Sequence, residues 1–321
     1  MIKTTFPLLR LGQHEVLPVI QGGMGIGISA HRLAGSVARE GAVGTIASVD
    51  LRIHHPDLMR KTKRSRDREL IDNCNLEALD REIGLAREMA PQGYIAINVM
   101  KAVSLHRRLV EQACKSGANA IIMGAGLPLD LPDMVTDGDD IQLIPILSEA
   151  RGVRVLLKRW KRKQRLPDAI ILEHPRYAGG HLGAVRIEEI DDPRYDFKSL
   201  IANIQQIFDE LDIPPIPLIP AGGVNSFSNL KQLFEMGASG VQVGTPFAVS
   251  SEGDAHPEFK RVLLNAQKKD IVTFMSTAGL PARAVLTPWL KKYLNREERL
   301  RRTATPEKAT CAGHAECLSH C

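Results

Sequence analysis

The sequence predicts an α/β fold of the closed (β/α)8 or TIM-barrel type, with loop insertions and a C-terminal appendage. Three observations predict it. Eight short Ile- and Val-rich runs alternate with amphipathic stretches from near the start to about residue 245. The runs are mostly unalternating, as strands buried on both faces of a parallel sheet must be. Three helical stretches end in the phrases EGAVG, SGANA and MGASG, each a glycine C-cap leading into the next run. Eight such units favour closure, with an open doubly wound sheet as the alternative that strand count leaves standing.

The strands are read in order at Leu17–Gln21, Val43–Ala47, Tyr94–Val99, Asn119–Met123, Ile141–Leu147, Ala169–Glu173, Pro217–Pro220 and Gly240–Val243. Gly, Pro, Asn or Asp bound them. Helices are read at Ser29–Glu40, with Ser29 as N-cap, and at Leu76–Met89, stopped by Pro91. Others follow at Ser104–Lys115, Ser148–Arg162, Phe197–Leu211, Ser226–Met236 and His256–Lys268. Three segments break the repeat: Asp50–Asp72, His174–Phe197 and everything from Ile271. The expected division is therefore a barrel over 1–270, with insertions near 50–72 and 174–197, and an appendage over 271–321.

Composition narrows the function. The chain has 321 residues, 42 Lys and Arg against 37 Asp and Glu, and only 4% aromatic residues. The basic runs at Arg60–Arg68, Lys158–Arg165 and Lys291–Arg302 are followed by acids and lack interleaved aromatics. They read as solvated faces, and a nucleic-acid partner is not expected. No stretch approaches the roughly 18 apolar residues of a membrane span. Five cysteines and no apolar leader favour a reducing, cytoplasmic setting.

Chemistry concentrates after strand ends, where a barrel keeps its active-site loops. The first strand runs into Gln21-Gly22-Gly23-Met24-Gly25-Ile26-Gly27, a loop whose backbone can approach a flat or anionic ligand. No acidic residue ends the next strand, so a Rossmann site is disfavoured. Gly222 and Gly223 after strand seven, with Gly244 and Thr245 after strand eight, have the placement of a barrel phosphate cup. Gln242 sits just before the second half of it. Asn98 ends strand three and could hydrogen-bond the edge of a ring through its amide.

Past strand six lies Ala178-Gly179-Gly180-His181-Leu182-Gly183. A glycine-flanked imidazole there suits a general base or a group that orients an anion. His174 ranks lower because Pro175 bends the chain beside it. Glu149 and Lys158 are less specific, and Lys158 reads as a helix-surface cation. The tail Cys311-x5-Cys317-x3-Cys321, with His314 and His320, lacks a C-x-x-C pair. It reads as a disordered or cut-off tail, so no metal is expected.

Taken together, PVIQGGM at residues 18–24, Asn98, AGGHLG, AGGV at 221–224, GVQVGTPF at 240–247 and GLPARA at 279–284 resemble the nitronate monooxygenase family. The resemblance spans roughly Leu17 to Leu286. It implies a TIM barrel binding FMN. Gly22, Gly23, Met24 and Asn98 would lie against the isoalloxazine, with Gln242 beside it. Gly180 joins the cofactor-binding set, and Gly222, Gly223, Gly244 and Thr245 would hold the phosphate. His181 matches the family's catalytic histidine. The implied reaction is oxidation of an alkyl nitronate by dioxygen to a carbonyl compound and nitrite. The sequence departs from the family where His174, Arg176 and Tyr177 precede the AGGHLG phrase.

Two other readings stand beside this one. Flavin-dependent quinone reductases and enoyl-acyl-carrier-protein reductases share the superfamily, and such an enzyme would use NAD(P)H as partner. A flavin-binding protein without activity is the reading from another class, and the intact His181 loop argues against it. A homodimer is the assembly considered.

Overall fold

The structure is a computed structural model that describes residues 4–136, 140–181, 183–276 and 280–303. It begins with an antiparallel hairpin, β1 (Leu9–Leu11) and β2 (His14–Val16). Six parallel strands follow: β3 (Val19–Gln21), β4 (Val43–Ala47), β5 (Tyr94–Met100), β6 (Ala120–Gly124), β7 (Gln142–Leu147) and β8 (Ile170–Glu173). A two-residue strand, β9 (Gly180–His181), precedes β10 (Leu218–Ala221) and β11 (Val241–Val243). The last two strands are β12 (Ile271–Met275) and β13 (Pro281–Val285). Strands β3 to β8, β10 and β11 close into a barrel in chain order, β11 pairing with β3. All eight runs read from the sequence are these strands.

Period-two alternation on strands without polar gaps builds two cores. Inside the barrel lie Ile20, Val43, Tyr94, Ala96, Ala120, Ile122, Ile144, Ala169, Ile171, Ile219 and Ala221. Their neighbours along the strands, among them Ile46, Ile97, Ile121, Leu172 and Val241, face outward into a second core. The helices α1 (His31–Arg39), α2 (Pro56–Thr62), α3 (Arg68–Met89), α4 (His106–Lys115) and α5 (Ala150–Lys161) cover one side of the barrel's outside. Helices α6 (Phe197–Glu210), α7 (Phe227–Glu235), α8 (Thr245–Ala248), α9 (Pro257–Asn265) and α10 (Pro288–Thr303) complete the set.

The hairpin closes the N-terminal end of the barrel. Leu9, Leu11 and Val16 join the inner core, and the His14 ring meets Tyr94 edge-on at 5.3 Å. The Tyr94 hydroxyl donates to Gln142 Oε1 at 2.8 Å, and Gln142 Nε2 donates on to Asp140 Oδ1 at 3.3 Å, so the polar groups at that end are paired. The bore itself is therefore open only toward the opposite, C-terminal end.

Helix α1 corrects one sequence expectation. Its N-cap is Ala30, not Ser29, and the capping comes from far away. Asp254 accepts the backbone N–H groups of Ala30 at 2.8 Å, Arg32 at 3.3 Å and Leu33 at 3.1 Å. Ser29 Oγ instead accepts from Met24 N at 2.8 Å and pins the glycine loop. A carboxylate at three open amides outcompetes one local hydroxyl.

The segment 50–72 is helical, not a loop. A 3-10 turn at Leu51–His54 and α2 bury Leu51 and Leu58, and α3 starts at Arg68 with Asp67 as its N-cap. Glu82 of α3 is fully buried. Its carboxylate accepts from His31 N at 2.7 Å and meets His31 Nδ1 at 2.8 Å, with His55 Nε2 at 2.9 Å.

The Glu82 hydrogen bond raises the His31 imidazole above its usual value, against its own desolvation. Burial opposes ionisation of Glu82, but the His31 bonds win and hold its carboxyl below the usual value. The stabilisation from a raised histidine is complete below about pH 6.5 and is lost as pH rises through the folded value. Hence the stability gap between the wild type and His31→Gln should be widest near pH 6 and shrink toward pH 9. Urea denaturation at each pH measures it; a constant gap would refute the assignment.

Candidate active site

The barrel's C-terminal rim is where the inner apolar face ends. On β5 the face carrying Tyr94 and Ala96 continues to Asn98. On β8 the face carrying Ala169 and Ile171 continues to Glu173. Register aligns the rim: Ala221 of β10 is opposite Glu173 on one side and Gln242 on the other. Three polar side chains, Asn98, Glu173 and Gln242, thus top a largely apolar bore.

The loop after β3 folds over this rim. Gly22 N donates to Val243 O at 2.9 Å, tying the loop to β11. Gly23 lies flat against Asn98, and a Cβ there would fall 2.3 Å from Asn98 Cβ. That close approach requires glycine. Asn98 Nδ2 reaches Ile122 O at 3.4 Å. Met24 packs beside Gly244, whose added Cβ would lie 3.7 Å from its sulfur. The Gln242 side chain runs past Gly22, and its Oε1 is buried with no hydrogen-bond partner among the described residues.

The two glycine loops after β10 and β11 stand side by side, because Ala221 pairs with Gln242. Gly222 and Gly223 have φ of 104° and 74°, left-handed values that glycine takes without strain. Tyr177 leans over both: a Cβ on Gly222 would lie 3.1 Å from Tyr177 Cβ, and one on Gly223 3.1 Å from Cγ of its ring. Gly244 is the N-cap of α8, and Thr245 is its first residue. So the structure brings Gly22, Gly23, Met24, Asn98, Gln242 and Gly244 into one neighbourhood. Gly222 and Gly223 are brought to the adjoining rim.

The third wall joins distant parts of the chain. The structure describes Gly180 and His181 by their backbone, as β9, the edge of a three-stranded antiparallel sheet ordered β12-β13-β9. Gly180 is opposite Arg283 and His181 opposite Ala282. Arg283 Nη1 donates to Tyr177 O at 3.3 Å, locking the sheet to the loop before β9. Leu182, Gly279, and the tail from 304, with its Cys311, Cys317, Cys321, His314 and His320, lie outside the described residues. Among the described residues, no group of three or more His, Cys, Asp or Glu could hold a metal ion.

His174 is a packing residue. It is buried, its Nδ1 accepts from Arg176 N at 3.2 Å, and its ring lies 4.8 Å from Tyr177 and 5.4 Å from Phe197. Burial holds it below the usual histidine value, hence neutral. Glu149 sits at the start of α5 and Lys158 on its exposed side. Glu173 is the residue the sequence reading missed. Desolvation in the barrel mouth lifts its carboxyl to about 7. The available signal was its charge at the end of an apolar run.

A family model described as nitronate monooxygenase matches residues 11–314. A probable nitronate monooxygenase of Bacillus subtilis (strain 168) is 26% identical over 289 residues, 86% of this chain and 78% of that protein. A probable nitronate monooxygenase of Staphylococcus saprophyticus is 30% identical over 115 residues, 36% of this chain and 31% of its own. Among solved structures, FabK from Thermotoga maritima superposes with a TM-score of 0.64 at 22% identity, covering 92% of this chain and 82% of its own. Nitroalkane oxidase from Streptomyces ansochromogenes gives a TM-score of 0.61 at 19% identity, covering 86% and 78%. Both share the barrel fold.

The unpartnered Gln242 Oε1 has an energetic signature. A buried acceptor without a donor costs about 1–3 kcal/mol. Gln242→Met, which keeps the volume and removes that acceptor, should therefore stabilise the ligand-free protein by about 1 kcal/mol in urea denaturation. A loss of stability would show that the amide is already satisfied.

Proposed function

The chain belongs to the nitronate monooxygenase family, and from that premise we propose that it oxidises alkyl nitronates with dioxygen, using FMN, to a carbonyl compound and nitrite. It is an oxidoreductase; the substrate, the cofactor's identity and the residue roles are our reading. The observation that carries it is the buried, unpartnered Gln242 Oε1 on a rim of glycines shaped for close approach. The Gly23 backbone, held against Asn98, leaves a flat surface that suits an aromatic ring.

FMN, when bound, supplies the electron acceptor through which nitronate and dioxygen exchange electrons. Gly22, Gly23, Met24, Asn98, Gly180 and Gln242 would hold its ring. Backbone amides at Gly222, Gly223, Gly244 and Thr245 would hold its phosphate, since left-handed glycines turn N–H groups toward an anion. His181 would orient the nitronate through its imidazole, and its backbone is fixed by Ala282 of β13. The apolar bore and the hairpin plug exclude water from the other end.

No helix among the described residues is long and apolar enough to cross a membrane, and a cytoplasmic setting belongs to the same proposal. The assembly, with a homodimer considered, is open to direct measurement.

The test is oxygen uptake and nitrite release by FMN-loaded protein given an alkyl nitronate. His181→Ala should lower kcat/KM by about 100-fold or more while the bound flavin spectrum is retained. Rapid anaerobic bleaching by NADH, without nitronate turnover, would instead make the protein an NAD(P)H-dependent flavin reductase.

A further inference from the structure

One rim residue has no role in the scheme above. Among the residues of the eight barrel strands, Glu173 is the single Asp, Glu, Lys, Arg or His. It continues the inner face of β8 above Ile171, and it stands level with Gln242 across Ala221. A carboxylate at that place would sit over an apolar bore with no counter-charge on any neighbouring strand, a costly arrangement.

We propose that Glu173 is a binding residue of the barrel mouth that engages the flavin as a neutral carboxylic acid, so that flavin binding is coupled to one proton. The inference rests on the reading that FMN occupies this mouth. The pyrimidine edge of a flavin offers carbonyl oxygens, which accept, and an imide N–H, which donates. A carboxylic acid brings an O–H donor to that edge, whereas a carboxylate brings only acceptors and a negative charge. Gln242 Oε1, buried without a donor, supplies the acceptor for the imide. The two side chains therefore offer complementary halves of one recognition surface.

The surroundings of the ligand-free mouth favour the protonated form. Glu173 is half-buried, and desolvation accounts for the rise of its carboxyl to about 7, with no hydrogen bond or charge contributing. Neighbouring strands β7, β10 and β11 carry no charged side chain. The titratable groups nearby belong to the following loop: His174, turned into its aromatic nest, Tyr177, and His181 at its end. Beyond the rim, Lys101 is held by Asp130 at 2.7 Å and His106 at 3.0 Å, and Arg283 by the Tyr177 carbonyl. A ring stacked over the mouth would remove the remaining water and favour the neutral form further.

The experiment is titration of FMN into apoprotein from pH 7 to 9, followed by quenching of flavin fluorescence. If only the acid form binds, affinity falls about tenfold per pH unit above the carboxyl's pKa. The wild-type Kd should then rise about 50-fold between pH 7 and 9. Glu173→Gln, a permanently neutral donor, should hold its pH 7 affinity within about threefold over that range. Flavin ionisation and His181 are common to both proteins and cancel. A flat wild-type profile, or a parallel fall in Glu173→Gln, would overturn the proposal. A second measurement needs no variant: in weak buffer at pH 8, FMN binding should take up close to one proton per flavin, and no uptake would overturn it equally. Absence of FMN binding at every pH would remove the FMN reading itself, an outcome distinct from pH-independent binding.

Discussion

Closure of the eight-stranded barrel is the constraint on which the rest depends. Once β11 pairs with β3, every strand has one face in the bore and one under helices, so along its length charged side chains are excluded and few polar ones, such as Thr45, are buried. Polarity is pushed to the two ends. At the N-terminal end the β1–β2 hairpin and the Tyr94–Gln142 bond seal it off. At the C-terminal end Asn98, Glu173 and Gln242 emerge where the strands stop, already aligned by register. The site is a by-product of where an apolar strand is allowed to end.

Loops then complete what the strands begin. The glycine loop after β3 is fastened at both ends, by Gly22 to β11 and by Ser29 to Met24. The loop carrying His181 is fastened by β13, which comes about 100 residues later. Rigid attachment matters because catalytic positioning is sensitive to displacements of about 1 Å. The C-terminal strands are therefore a wall of the site, although in sequence they follow the last barrel unit.

Legibility in the sequence followed burial on both faces. Runs such as VGTIA and AIIMG read as strands of a parallel sheet buried on both faces, and each was placed within a residue or two. Gly23 and Asn98 were both singled out by their places at strand ends, and the structure packs one against the other. The short hairpin strands LRL and HEV carry too little pattern to be read. In the stretch from Asp50, isolated Leu51 and Leu58 anchor a helical insert that its many charges disguise. The cap of α1, the pairing of β9 with β13 and the isolation of Glu173 are non-local. Each depends on residues brought together only by closure, and no window of sequence contains them.

The Asp254 cap bears on how the chain is made. The first helix of the barrel depends on a carboxylate 221 residues downstream of Leu33. At about 5–20 residues per second, roughly 11–44 s separate the synthesis of the two. Through that interval on the ribosome, the start of α1 keeps its amides open to water. The first βα unit thus receives its cap only after the eighth has been made.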